Sequence, residues 1–498
     1  MSAPNIVVIV MDTARATNVL PAGGGGPMGT VERIVTEGIR YENTITTAPW
    51  TLPSHASLFS GQYTTDHGTH TGTRRFDPAH EPLAAQLRGA GYRTVAISNN
   101  SWVSPEFGFG RGFDDFYMGN EPLAGGSDLI DVVRNYDGRP AQLRALAGKL
   151  TRDNAVPTLV NASYARYLQH RYDDGAWLST WRAKRWLDRE RPADRPFFMF
   201  VNYVEPHLKY EPPSSFRSEY LPEGVSEAEA DAVNQSAWQY ITGTVEMSDR
   251  DFEILEGLYD AELAYLDRRI GNLYGALASR DLLDNTLVVI TSDHGENLGE
   301  HGLMDHQYCL YDTLLRVPLI VRPPGGVDGG HTEGKTVELR DLFPTLLGVS
   351  GIDPPSTEGV STRPLPGVLN GDEIGTRGVG DDHERHAISE YVLPQPSIES
   401  LSEYTGVPEA ELTRFDRGLR CVRTREWKYI EGSDGSEELY RLADDPGETH
   451  DLIDEHPERA RELEAELEAR RGEFEVENRN APEMKATTKQ RLEDLGYI

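Results

Sequence analysis

The chain has 498 residues, 38% of them apolar, which is enough for one large domain plus a smaller one and excludes disorder as the default state. Its 81 acidic and 49 basic residues give a net charge of −32; such a surface repels nucleic-acid phosphates and anionic headgroups, so an anionic substrate must meet a local positive site such as a metal ion. The only lysines are Lys149, Lys184, Lys209, Lys335, Lys428, Lys485 and Lys489, and an acid-rich, lysine-poor surface is expected of a salt-loving, haloarchaeal source, where concentrated salt screens the self-repulsion.

The chain opens without a basic leader, and the apolar run Ile6 to Met11 is only strand-sized. No segment is long enough to span a bilayer, so the expectation is a soluble cytoplasmic protein with no membrane and no nucleic-acid partner. Asn5 to Met11 is apolar on both faces and reads as a central strand of a covered parallel sheet. Similar strands are predicted at Thr94 to Ser98, after a helix from Leu83 to Ala90, and at Phe197 to Val201. Two more are predicted at Thr286 to Thr291, after an amphipathic helix from Leu258 to Ala278, and at Val317 to Val321. Strands alternating with helices predict an α/β fold with a large, mostly parallel sheet. Residues 323 to 385 are rich in Gly, Pro, Asp and Thr and read as loops interrupted by a helix from Leu339 to Leu347. The domains are expected at 1–375 and 376–498. The second is a smaller α+β unit with strands at Ala387 to Tyr391, Leu419 to Arg423 and Lys428 to Ile430 and a charged helix from Pro457 to Arg471, read as a solvated face. Cys309 and Cys421, the only cysteines, exclude a disulfide scaffold and a cysteine-based zinc site.

Polar residues just past the C-terminal ends of parallel strands form the active-site edge of such sheets. Here they are Asp12, Asn99 and Asn100, the Glu205-Pro206-His207 turn, and Asp293 with His294. Between the first strands lies Ala48-Pro49-Trp50-Thr51-Leu52-Pro53-Ser54-His55-Ala56-Ser57-Leu58-Phe59-Ser60-Gly61, in which Pro53 and Ser54 favour a helix start with Thr51 just before it.

Thr51-Leu52-Pro53-Ser54-His55 followed by Ala56-Ser57-Leu58 and Gly61 resembles the nucleophile motif of the sulfatase family, within the alkaline phosphatase superfamily. The first strand with Asp12, the Gly91-Tyr92-Arg93-Thr94 and Gly112-Phe113-Asp114 stretches, the Pro206-His207-Leu208-Lys209-Tyr210 loop and Asp293-His294-Gly295-Glu296 match in the same order. So do Arg316-Val317-Pro318-Leu319 and the C-terminal Glu438-Leu439-Tyr440 and Asp445-Pro446-Gly447-Glu448. The resemblance implies an alkaline-phosphatase-like sheet and a metal-dependent hydrolase of sulfate or phosphate esters. Asp12, Thr51, Asp293 and His294 are implied as ligands of one divalent ion, and that oxygen-rich set suits Ca²⁺, Mn²⁺, Mg²⁺ or Zn²⁺ alike.

The departures shape the chemistry. Thr51 stands where the family oxidises cysteine or serine to formylglycine, and threonine cannot yield that aldehyde; a threonine alkoxide activated by the metal is the expected nucleophile. His55 replaces an arginine, Ser98-Asn99-Asn100-Ser101 replaces a lysine- and histidine-bearing stretch, and Asp12-Thr13 carries one carboxylate where the family has two. His207 is the first candidate for protonating the leaving group, followed by His306 and His301, with His55 as a further substrate-site candidate. The expected substrate is a small-molecule or glycan sulfate or phosphate ester. The alternatives are a phosphoryl or sulfuryl transferase acting on a sugar or glycerol hydroxyl, and a fold-retaining binding protein without turnover.

Overall fold

In the computed structural model, residues 3–118, 173–361, 363–369 and 385–472 are described, with the single positions 474, 484, 489 and 492. The expected boundary at 375 lies outside the described residues. Eight strands form the main sheet: β1 (Asn5–Met11), β2 (Ile39–Ile45), β3 (Arg93–Ser98), β4 (Asp115–Met118), β5 (Phe197–Tyr203), β6 (Thr286–Ser292), β9 (Arg316–Arg322) and β10 (His331–Glu338), in the order β10-β2-β9-β6-β1-β5-β3-β4. All neighbours pair in parallel except β9, which runs against both β2 and β6. The sheet is therefore mixed and mostly parallel, as expected.

Every residue of β1, β5 and β6 is buried. That is possible because their runs are apolar on both faces and helices cover both sides. Helices Gly29–Val35, Ala176–Arg189 and Asp249–Ala278 pack together in one layer; Thr51–Ser60, Leu83–Gly89 and Leu342–Val349 pack together in the other. Ser248 starts the 30-residue helix with a capping box, its hydroxyl accepting from the Asp251 amide while Asp251 accepts from the Ser248 amide.

Several strands were not expected from the sequence, the short ones at Asp115–Met118 and Glu437–Arg441 and the hairpin strands β7 (Asn297–Leu298) and β8 (Met304–Asp305) among them, and two bear on the main sheet most. Residues 323–385 were expected to be loops around one helix, yet His331–Glu338 is the edge strand β10. Its sequence is mostly polar because much of it faces solvent; pairing with β2 supplies what composition does not. β2 itself was not expected, since Ile39–Ile45 mixes Arg, Glu and Asn among its apolar residues.

The C-terminal part forms a small antiparallel sheet in the order β11 (Ala387–Tyr391), β12 (Leu419–Arg423), β13 (Trp427–Gly432), β14 (Glu437–Arg441). The helix Pro457–Arg471 buries Ala460, Leu463 and Leu467 against it. Its last turn is not a solvated face: Arg471 reaches Asp66 at 2.9 Å and Glu390 at 2.9 Å, and Arg470 donates to the Tyr63 hydroxyl at 3.1 Å. The small sheet also holds the loop that leads to Thr51, Ser389 Oγ donating to the Thr46 carbonyl at 2.6 Å and the Glu390 amide to the Thr47 carbonyl at 2.8 Å. No helix of the described residues is long and apolar enough to cross a membrane.

Candidate active site and metal centre

Strands β6, β1, β5 and β3 are adjacent and parallel, so their C-terminal ends share one edge. Asp12, the 205–207 turn, the Asn99-Asn100 pair and Asp293-His294 leave from those ends. The helix Thr51–Ser60 delivers the fifth contribution; it begins at Thr51, slightly earlier than the sequence suggests, with Pro53 in its first turn where a missing amide costs nothing. Ser54 Oγ donates to the Asp293 carbonyl at 2.7 Å and ties this helix to the end of β6.

Asp12, Thr51, Asp293 and His294 are all fully buried and meet at one point. His294 Nε2 lies 3.2 Å from Thr51 Oγ1, 3.5 Å from Asp12 Oδ1 and 3.5 Å from Asp293 Oδ2, and Thr51 Oγ1 lies 3.5 Å from Asp12 Oδ1. Donors held about 2.1 Å from one cation stand about 3.0–3.4 Å apart, so this spacing fits a shared divalent ion. Supporting contacts orient the set. His294 Nδ1 donates to the Gly295 carbonyl at 2.9 Å, leaving the lone pair on Nε2. Asn100 Nδ2 donates to Asp12 Oδ2. Burial, then the neighbouring Asp12 charge, push the Asp293 carboxyl well above its ordinary range. Two carboxylates at such a place suit a bound cation.

Gly295 has a steric reason of its own: a Cβ there would stand 2.0 Å from the Thr313 carbonyl. Thr13, where the family has a second acidic ligand, adopts a φ of 58°, and its amide donates to Asp293 Oδ1 at 3.4 Å.

The acid/base candidates separate into three positions. His207 and His306 come together, their ring centroids 5.2 Å apart, and His306 lies 4.5 Å from the His294 ring. His207 Nδ1 donates to the Leu208 carbonyl at 2.5 Å. Burial, then the His306 charge, lower its pKa to about 4. Burial works against the charged form of His306 too, but Asp305 and Glu296 outweigh it and raise His306 well above the usual histidine range. Glu296, quoted in the sequence only as part of a motif, accepts from the Tyr210 hydroxyl at 3.2 Å, and burial raises it to about 7.

His55 sits behind the metal-ligand set. Its Nδ1 donates to the Thr51 carbonyl at 2.9 Å and lies 3.4 Å from Asp293 Oδ2, while its ring packs edge-on against Phe109 and Phe200. Burial, only partly offset by that hydrogen bond, lowers its pKa to about 4. His301 stacks on Tyr311 at 3.8 Å instead of joining the buried groups. Lys209 and Glu211 are exposed, Trp50 is buried edge-on to Trp102, and His67 accepts from the Thr69 amide at Nδ1 and bonds Ser57 of the Thr51–Ser60 helix at Nε2. Asp305, which sequence reasoning missed, has a signal in retrospect: the Asp-His pair at 293–294 recurs at 305–306.

The Sulfatase family model matches residues 4–352. Among curated proteins, an uncharacterized sulfatase of Escherichia coli strain K12, YidJ, is 28% identical over 468 residues, 91% of this chain and 84% of that protein. Human arylsulfatase K is 25% identical over 493 residues, 93% of this chain and 82% of that protein. Among solved structures, the phosphonate monoester hydrolase of Agrobacterium radiobacter superposes with a TM-score of 0.68 at 18% identity, covering 95% of this chain and 96% of that one. A structure in complex with its substrate D-glucosamine-2-N,6-O-disulfate superposes with a TM-score of 0.66 at 20% identity, covering 95% and 98%. The chain belongs to the sulfatase family and is an ester hydrolase.

Proposed function

We propose that the protein is a metal-dependent hydrolase of sulfate or phosphate esters in which Thr51 is the nucleophile. The observation that carries this reading is the buried point at which His294 Nε2 has Thr51 Oγ1 at 3.2 Å and a carboxylate oxygen of Asp12 and of Asp293 at 3.5 Å each. A divalent cation held by these four residues supplies a lowered hydroxyl pKa and charge neutralisation at the ester oxygens. Thr51 Oγ1 attacks sulfur or phosphorus, forming a threonine ester as the bond to the leaving oxygen breaks. His306, which Asp305 and Glu296 favour in its protonated form, gives that oxygen its proton, and water, its proton taken up by the lone pair on His207 Nε2, then cleaves the threonine ester. Asn100 fixes Asp12, and His55 fixes the first helical turn from behind.

The neighbour bound to a disulfated glucosamine supports a sulfated sugar as substrate, and the phosphonate monoester hydrolase supports phosphorus chemistry. An ester is needed either way, so the test runs both. Metal-stripped protein, resupplied with Mn²⁺, Ca²⁺, Mg²⁺ or Zn²⁺, is assayed on aryl sulfate, aryl phosphate, aryl phosphodiester and aryl phosphonate, with Thr51→Ala as control. Metal-dependent turnover that needs Thr51 is the expected result. Turnover undiminished in Thr51→Ala, or undiminished by metal removal, overturns the reading.

A further inference from the structure

The helix Ala176–Arg189 buries Leu178, Ala183, Trp186 and Leu187 in the core, yet Trp177 and Trp181 stand on its other side, 52% and 40% exposed. Residues four apart share one helix face, here about 6 Å apart along the axis. Tyr404 is the only other exposed large hydrophobic side chain among the described residues, and it packs edge-on to Trp238. Core packing gives no reason for tryptophan at 177 or 181, and an exposed aromatic pair marks a surface that meets a partner. The charge beside the pair runs against that of the chain. The helix carries four basic residues, Arg182, Lys184, Arg185 and Arg189, and one acid, Asp188, whereas the chain as a whole has a net charge of −32. Arg182 is buried over the Tyr117 ring, but Arg185 lies over the Trp181 ring at 5.8 Å, and Lys184, Arg185 and Arg189 have no carboxylate partner among the described residues. Asp188 is engaged by Arg280 at 2.5 Å, and Glu190 accepts from the Tyr117 hydroxyl at 2.7 Å. The helix starts at the active-site edge. The Ala176 amide donates to Glu205 Oε1 at 2.9 Å, in the turn that carries His207, and Ser179 bonds Asn99 just past β3. From there the helix runs back along the sheet, Trp186 reaching Asp115 at the start of β4 at 3.3 Å.

We propose that Trp177 and Trp181, continued by Lys184, Arg185 and Arg189, form a docking strip for an anionic glycan chain that leads from the rim of the active site along this helix. Sugar rings turn polarised C–H groups toward the electron-rich faces of indoles while their hydroxyls stay in water. Sulfate or phosphate groups further along the chain meet the free cations. From Trp177 to Arg189 the strip is about 18 Å long, room for several sugar units. The kind of partner follows from the charge pattern. A membrane is a plane and would set much of the acidic surface against its headgroups, whereas a single chain touches the strip and little else. A nucleic-acid strand brings a phosphate with every unit, but Ala176 to Trp181 carries no cation, which suits a chain charged on some units only. The substrate is then a polymer, with the ester-bearing unit in the site and its neighbours on the helix.

This inference rests on the preceding reading for its substrate class, and the test separates the two. The full chain carrying Thr51→Ala is run by affinity electrophoresis through gels holding dextran sulfate, chondroitin sulfate or phosphomannan, with neutral dextran as the blank. Beside it runs the same protein with Trp177→Ala and Trp181→Ala added. Retardation by at least one anionic polysaccharide is expected, with the apparent Kd raised about tenfold or more by the tryptophan changes. Lys184→Glu with Arg185→Glu should weaken it as well, and all four side chains lie on the helix surface, so the thermal transition should persist. No retardation, or equal retardation with and without the tryptophans, overturns the proposal. The other occupants are read on the same proteins. Tryptophan-dependent binding of polyuridylate or of phosphatidylserine vesicles, or a tryptophan-dependent dimer in sedimentation, each without polysaccharide binding, overturns it too. So does emission that acrylamide quenches no better than in the tryptophan variant, because another part of this chain then covers the indoles. Absence of aryl-ester turnover in the unaltered protein, with tryptophan-dependent polysaccharide binding intact, overturns the preceding reading and leaves the strip standing.

Discussion

Nε2 of His294 has the Thr51 hydroxyl at 3.2 Å and the Asp12 carboxylate at 3.5 Å, so the proposed nucleophile and a proposed metal ligand converge on one nitrogen. Thr51→Ala removes the proposed attacking oxygen and leaves three of the proposed ligands. We expect kcat/KM to fall by about 10³-fold or more, with metal content kept, and Thr51→Ser to retain a large part of the activity. Steady-state kinetics with metal analysis on the same samples checks this. Equal loss in the serine variant contradicts a role for the hydroxyl alone.

Asn100 donates to Asp12 without being one of the four proposed ligands. Asn100→Ala is expected to weaken metal binding by about 10–100-fold, the usual cost of removing a group that orients a ligand. Calorimetric titration with Mn²⁺ measures it, and Asn100→Asp, which places a second negative charge beside Asp12, should not restore the wild-type affinity by the same route.

Gly295→Ala pushes a methyl group to within 2.0 Å of the Thr313 carbonyl, which the backbone on both sides must yield to accommodate. A loss of about 1–3 kcal/mol in unfolding free energy is expected, as for other overpacked interiors. Because Gly295 follows His294 directly and accepts its Nδ1 proton donor, metal affinity should fall in parallel. Urea unfolding and metal titration together separate this from an ordinary surface change.

The small sheet is tied to the main one by a buried ionic group. Lys428 Nζ lies 2.9 Å from Asp312 and 2.7 Å from Glu448, and Arg423 lies 2.8 Å from Asp312. Burial raises the Asp312 carboxyl, but Arg423 and Lys428 outweigh it and hold it well below its ordinary range. With a folded pKa below the unfolded value of about 3.9, this group stabilises the fold fully above that value and ceases to do so as pH falls through the folded pKa. Asp312→Asn leaves two buried cations undercompensated and is expected to cost about 3–5 kcal/mol at pH 7. The difference between variant and wild type should shrink in strong acid, as read by denaturant unfolding at pH 7 and pH 3.

The net charge of −32 sets a salt prediction. Raising KCl from 0.1 M to 1 M shortens the screening length from about 10 Å to about 3 Å, which weakens repulsion between surface carboxylates. The thermal midpoint should rise across this range. A flat or falling midpoint contradicts the expectation of a salt-adapted surface.

The core strands were legible because β1, β5 and β6 are runs of residues apolar on both faces, a pattern that only a covered strand explains. β2 and β10 were not, since their composition is mixed and their conformation comes from pairing with partners distant in sequence. The Asp12, Thr51, Asp293 and His294 set was legible through strand ends and motif order. Asp305 was hidden: its meaning depends on His207, which another strand end brings to it. The same holds for the Pro457–Arg471 helix. Its Ala460, Leu463 and Leu467 stripe is visible as periodicity, but Tyr63 and Asp66, which Arg470 and Arg471 reach, lie near the other end of the chain.

The hydrogen bonds from Ser389 and Glu390 to the carbonyls of Thr46 and Thr47 bear on how such a gene can change. A version cut short ahead of residue 385 would still encode Asp12, Thr51, His207, Asp293, His294 and His306, yet the loop presenting the nucleophile would lose two of its moorings. Shuffling another module into the place of the small sheet meets the same obstacle. The proposed site and the C-terminal sheet are therefore expected to be inherited as one unit, although every side chain of that site is encoded in the first two-thirds of the message.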